Sequence, residues 1–289
     1  MFWLMTHPVI DAQAHLYRAN TPAEPWPSDP WRPTPAVSAF TGEQMLEAMD
    51  DAGVDRAVIV PPIWQHDDQR ASFETAAQAP DRFKIMGRFD PYGPDAATRI
   101  HGWLDQPNMV GMRLAFLKWN DGGVLVGDVL DDRSLDWFWA ECETQGVPIA
   151  CLTQASVAGL GPIAARHPRL RLIVDHLASV AGDTVGESFG ALDDLLALAE
   201  LPNVYVKVSD APNRSKEPYP FRDVHDVVAR VRDAFGAQRM MWAVDITQIG
   251  DLRYVDCLRL WQEGIPFLSD EEREWILGGT AAEVLSWPA

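Results

Sequence analysis

Histidine, aspartate, lysine and arginine recur in this chain at the ends of short apolar runs, where a fold can gather them. Asp11-Ala12-Gln13-Ala14-His15 closes the first such run. On a regular strand its alternate residues, Asp11, Gln13 and His15, point to one face. A histidine at position 13 would complete a two-nitrogen clamp for a divalent cation, but glutamine is a poor substitute for imidazole toward zinc and its neighbours. Further runs end in Arg88 and Asp90, in Asp175 and His176, in Lys207, Ser209 and Asp210, and in Asp245, while Arg113 lies within another. The remaining polar run end offers Cys151, Thr153 and Gln154. Cationic and hydrogen-bonding groups converging with a carboxylate suit acid–base chemistry on a small, polar, anionic molecule. Asp245 is the candidate base, because a carboxylate held near cations stays ionised at neutral pH. Lys207, His176 and Arg113 are candidates to polarise a carbonyl or clamp a carboxylate, Arg113 through its bidentate fork. His15 and Gln13 are assigned to orienting the substrate by hydrogen bonds. Arg88 either joins the binding set or pairs with Asp90.

The elements that must position these groups are legible as eight apolar runs, at 9–16, 56–62, 83–90, 110–116, 147–153, 170–178, 204–210 and 239–245. Several are nearly continuous in hydrophobicity, as parallel strands buried on both faces are. Helical patterns lie between them. Thr41 as N-cap, Gln44 three positions on and Gly53 as a stop frame one helix. Ser134 to Gly146 follows the same grammar, and Val224, Val227, Val228, Val231 and Phe235 form a stripe ending at Gly236. Eight strand–helix alternations predict an α/β fold, a (β/α)8 TIM barrel forming a single domain over 1–289, with a doubly wound open sheet as the competitor. Barrel enzymes work at the carboxyl ends of their strands, which is where the polar residues fall. A proline-rich stretch, 21–35, reads as a loop over the mouth.

The 289 residues are 47% apolar and carry 42 acidic against 24 basic side chains, a formal charge of −18. That balance argues against nucleic acid and anionic membrane surfaces as partners. Cys142, Cys151 and Cys257 show no paired spacing, so neither a disulfide framework nor a zinc knuckle is indicated. The first residues, MFWLMTHPVI, lack the form of a signal peptide, and no run approaches the roughly 20 apolar residues of a membrane span. A cytoplasmic protein acting on a small-molecule substrate is expected, with the apolar carboxyl-terminal helix available to a homodimer.

The joint order of IDAQAHL, GMRLAF, IVDHLA, VYVKVSD, MWAVD and the closing ILGGTAAEVLSW resembles the amidohydrolase superfamily, specifically the amidohydrolase-2 branch that includes metal-independent sugar and dicarboxylate lactonases. The resemblance spans essentially the whole chain. It implies the barrel and, in metal-using members, an HxH pair, a fifth-strand histidine, a sixth-strand histidine and an eighth-strand aspartate. His15, His176 and Asp245 match, Gln13 replaces the first histidine, and the ACLTQ run offers none. The expectation is therefore a metal-independent hydrolase without cofactor, opening a lactone or cyclic ester. Asp245 would activate water, with His176 and His15 as its catalytic companions and Arg113, Lys207, Gln13 and Arg88 binding substrate. The alternatives are a zinc- or manganese-dependent decarboxylase or hydrolase held by His15, His176 and Asp245, a lactone isomerase, and a barrel that only binds ligand. Trp26, Trp31, Trp64 and Trp119 are placed in loops that can wall an apolar pocket. GESFG at 186–190 fits the nucleophile-elbow pattern but reads as a loop entering a helix, without the strand an elbow needs. Asn213-Arg214-Ser215 fits a glycosylation triplet that a cytoplasmic chain does not use.

Overall fold

The computed structural model describes residues 7–26, 39–65, 68–116 and 130–287. Eight parallel strands form one sheet in sequence order: β1 (Ile10–Ala14), β2 (Arg56–Ile59), β3 (Phe83–Arg88), β4 (Met109–Ala115), β5 (Ile149–Leu152), β6 (Leu172–Val174), β7 (Val204–Lys207) and β8 (Met240–Met241). Ala12 N–H donates to the Trp242 carbonyl at 3.1 Å and Asp245 N–H to the Gln13 carbonyl at 3.0 Å, which carries β8 back to β1. The expected (β/α)8 barrel is what these residues build.

The helices stop and start where their residues dictate. Gly42–Ala52 opens on a capping box, with Thr41 and Gln44 exchanging side-chain and backbone bonds, and closes on Gly53 at φ 77°. Asp136–Gln145 and His225–Phe235 fill the two other segments read as helical. Val185–Ser188 is a four-residue helix, so no strand runs into Ser188 and no elbow forms.

Burial sorts the strand residues into two clusters. Met112, Leu114, Ile149, Cys151, Leu172, Val174, Val204 and Val206 pack outward against the helices. Ile10, Ala12, Val58, Val60, Met86, Val110, Ala150, Ile173, Met241 and Ala243 fill the lower interior, and Ala281, Ala282, Val284, Leu285 and Trp287 close its floor. The polar side chains stand above this apolar plug.

One strand departs from regular pleating, and the departure positions the site. In β1, Asp11 pairs with Ala57 and Ala14 with Ile59, three steps against two. This extra residue is a bulge, and a bulge exchanges the faces of the residues beyond it. Ile10 and Ala12 point into the barrel, and Ala14 and Leu16 join the outer cluster. Gln13 and His15 turn inward, whereas Asp11 reaches outward to the Tyr254 hydroxyl. The expectation that Asp11, Gln13 and His15 share a face is therefore corrected.

Candidate active site

Above the apolar plug lies a buried charged layer. Lys207, 1% exposed on β7, donates to Gln13 Oε1 at 2.7 Å and stands 3.0 Å from Asp175 Oδ1. Arg113, on β4, donates through Nε to Asp175 Oδ2 at 2.9 Å. Burial pushes the Asp175 carboxyl up, but Lys207 and Arg113 outweigh it and hold the group well below the usual carboxylate range. Burial lowers the Lys207 ammonium, opposed by Asp175. Two cations share one carboxylate, and Arg113 Nη1 is left buried without a hydrogen-bond partner among the described residues. The pairing of Lys207 explains how a lysine is accommodated inside a strand.

Gln13 joins this layer to the next. With its carbonyl taken by Lys207, its amide nitrogen faces His15 Nε2 at 3.3 Å. His15 Nδ1 lies 2.5 Å from the Val60 carbonyl, which can only accept, so the proton sits on Nδ1. Burial, reinforced by Arg113, lowers His15 to about 4, and the ring is neutral near pH 7.

The upper layer centres on Asp245. Its Oδ1 is 3.5 Å from His15 Nε2, its Oδ2 3.8 Å from His176 Nε2, and Oδ1 makes no hydrogen bond among the described residues. Burial raises Asp245 to about 6, partly opposed by His176. His176 Nδ1 meets Ser209 Oγ at 2.8 Å and lies 4.0 Å from Asp210 Oδ1. Asp210 accepts from Arg214 at 2.6 Å and from Ser179. His176, Asp210 and Asp245 occupy left-handed backbone at φ 56°, 68° and 58°. Non-glycine residues held there cost on the order of 1–3 kcal/mol each and persist where surrounding structure over-determines them.

The structure thus brings Asp245, His176, His15, Gln13, Lys207 and Arg113 into one stack. Arg88 is half-buried on β3, its backbone clasped by Gln69, and Asp90 is exposed with its carboxylate on the Tyr92 amide. Cys151 faces the helices. Trp26 and Trp64 pack at 4.8 Å between ring centroids, both against Tyr17. Trp31 and Trp119, with much of the 21–35 loop, lie outside the described residues. Sequence reasoning gave no role to Asp175, Ser209, Asp210 and Arg214. The four-residue spacing from Asp210 to Arg214 was the available signal, since on a helical turn it brings opposite charges together.

Ligand atoms of His176, Asp210 and Asp245 lie within 4.8 Å of one another. Nitrogen and carboxylate donors of this kind suit a divalent ion, and the orphaned Asp245 Oδ1 is an atom such an ion would satisfy. Asp210 thus completes the compact triad, with His15 beside Asp245 and facing the Gln13 amide.

The chain matches the Amidohydro_2 family, described as amidohydrolase, over residues 10–287, and it belongs to that family. It is an amidohydrolase-family hydrolase. An L-fucono-1,5-lactonase of Burkholderia ambifaria is 27% identical over 242 residues, 82% of this chain and 79% of that protein. An amidohydrolase from Burkholderia multivorans, crystallised with HEPES and separately with zinc, superposes with a TM-score of 0.77 at 21% identity, covering 97% of this chain and 100% of that one. A probable 2-pyrone-4,6-dicarboxylic acid hydrolase from Acinetobacter baumannii, with citric acid bound, gives 0.75 at 16% identity, covering 96% and 99%. The structural likenesses show the shared fold.

Proposed function

We propose that this protein opens the ring of a small polar lactone, with Asp245 directing the attacking water. The observation that carries the reading is the state of Asp245. It is a buried carboxylate at the mouth end of β8, raised to about 6 and, among the described residues, left with one oxygen unsatisfied between two imidazoles. A base poised near neutrality is matched to general-base work. The L-fucono-1,5-lactonase relative supports lactone hydrolysis as the reaction.

The complementary electrophile is Arg113. Its Nε is committed to Asp175, while Nη1 is a buried donor without a partner among the described residues, beside the second cation, Lys207. An unsatisfied donor and an unsatisfied acceptor are the groups a carbonyl oxygen and a water molecule would satisfy. Asp245 takes a proton from water as the hydroxyl adds to the carbonyl. The tetrahedral intermediate collapses by breaking the ring C–O bond, and the departing alkoxide takes the proton back from Asp245. The acid product is the open-chain hydroxy acid. Arg113 and Lys207 exceed Asp175 by one positive charge, which suits a developing oxyanion and equally an anionic substrate.

We read the reaction as metal-independent, because Gln13 replaces a histidine and bonds the Lys207 ammonium, so a fixed protein cation already serves this part of the site. If the His176–Asp210–Asp245 triad holds a divalent ion, that ion supplies Lewis-acid polarisation and acidifies water. Three buried free cysteines agree with a reducing cytoplasmic setting. The test is acid release from a panel of sugar 1,5-lactones and a pyrone dicarboxylate, with and without prior chelation. Turnover of at least one compound is expected to survive chelation. Failure on every lactone would overturn the reading, and loss restored by zinc would move it to the metal-dependent alternative.

A further inference from the structure

Asp11 belongs to the motif that first suggested a metal, yet the bulge removes it from the interior and the chemistry makes no use of it. It is fully buried. Oδ1 accepts from the backbone N–H of Gln13 and of Val244, each at 3.0 Å, and Oδ2 accepts from the Tyr254 hydroxyl at 2.9 Å. One carboxylate thereby ties together β1, the segment leaving β8 and the helix Tyr254–Arg259.

What it ties down is the approach to the base. Val244 immediately precedes Asp245, and Asp245 donates its own N–H to the Gln13 carbonyl. Asp245 sits at φ 58°, a left-handed conformation that carries a cost for a residue with a Cβ and that surrounding contacts help to hold. Asp11 fixes the residue before Asp245, and by fixing the Gln13 amide it also fixes the strand whose carbonyl holds Asp245. Both restraints converge on the same left-handed residue.

We propose that Asp11, held by Tyr254, is the positioning residue for Asp245: a clamp across the β1–β8 seam that keeps the base aimed at the water. The inference rests on Asp245 being the base. The clamp touches no substrate, so it acts on turnover rather than binding. Displacing a catalytic group by about 1 Å can cost about 100-fold in rate, which sets the scale expected for Asp11→Ala.

The experiment measures amide hydrogen exchange at Asp245 alongside kcat and KM, in Asp11→Ala, Asp11→Asn and Tyr254→Phe. The Asp245 amide is the reporter because its bond to Gln13 is not the one deleted. Faster exchange at Asp245, with kcat falling about 100-fold in Asp11→Ala and KM within about threefold, is the expected result. Asp11→Asn, which keeps one acceptor oxygen, should recover part of kcat. Tyr254→Phe, which removes a single hydrogen bond and keeps the packed ring, should show the same two changes in weaker form. Unaltered Asp245 exchange in Tyr254→Phe and in a folded Asp11 variant overturns the clamp, as does kcat within about threefold of wild type in Asp11→Ala. If the wild-type protein opens no lactone, the proposed reaction fails, and the clamp is judged by exchange alone.

Discussion

At the scale of residues, the site is a set of matched opposites around a few unmatched atoms. Lys207 and Arg113 meet Asp175 and Arg214 meets Asp210, while Arg113 Nη1 and Asp245 Oδ1 are among the buried atoms that find no hydrogen-bond partner within the described residues. The Asp245 carboxyl, raised by burial to about 6, must be ionised to accept a proton. A base loses activity as pH falls through its folded-state pKa, so kcat/KM is expected to be level above about 7 and to drop about tenfold per unit below about 6. A rate-against-pH profile checks this, and an acid limb near pH 4 would argue against Asp245 as the base. Burial also raises Asp11, to about 7, opposed by its hydrogen bonds. An acid with a raised pKa favours the fold most below its unfolded value and loses that contribution as pH rises toward the folded one. The stability difference between wild type and Asp11→Asn should therefore change between about pH 4 and 7 and flatten above, as thermal unfolding across pH would read. Asp245, His176 and Lys207 were legible in the sequence because strand ends are easy to locate and charged residues there are rare. Asp175 was visible at its strand end but its partners were not, since cross-barrel pairing depends on which strands face one another at which height.

At the scale of elements, strand order and the three helices read from the sequence followed from pattern, and the bulge did not. A one-residue slip in β1 leaves no mark in the apolar pattern of DAQAH, because the alternation there is equally good with or without it. Its consequence is large: it sends Asp11 to the helix shell and Gln13 into the interior. A second element supports the same seam. The Trp275–Gly279 segment is a π-helix, and its Ile276 carbonyl accepts the Trp242 N–H at 2.7 Å. Gly278 lets the same segment lie against the amino-terminal stretch, since a Cβ there would come within 1.9 Å of the Pro8 carbonyl oxygen. Gly278→Ala should therefore destabilise the protein by about 1–3 kcal/mol, the usual range for overpacking, as denaturant unfolding can measure. A neutral effect would mean that the amino-terminal segment yields without cost.

At the scale of the whole molecule, the barrel is a plugged cylinder with an apolar floor and a polar upper end. Trp287 seals the floor, with Arg56 and Lys84 at 5.0 and 5.7 Å from its ring. Trp287→Ala is predicted to cost about 3–5 kcal/mol of unfolding free energy, while kcat moves little, because the floor is separated from the site by the apolar layer. A large loss of kcat at unchanged stability would contradict that separation. No helix among the described residues is long and apolar enough to cross a membrane. The class of fold was legible because eight alternations leave few architectures open. Substrate identity was not, because it lies in loops whose sequences do not encode a shape by periodicity.

The proposed chemistry turns on one carboxylate, and its replacement by the isosteric amide is the direct test. For a lactone that the wild-type protein opens, Asp245→Asn should retain substrate affinity and lose about 1,000-fold or more in kcat, within the range attributed to general-base catalysis. A variant that binds and hydrolyses that lactone at the wild-type rate would contradict Asp245 as the base.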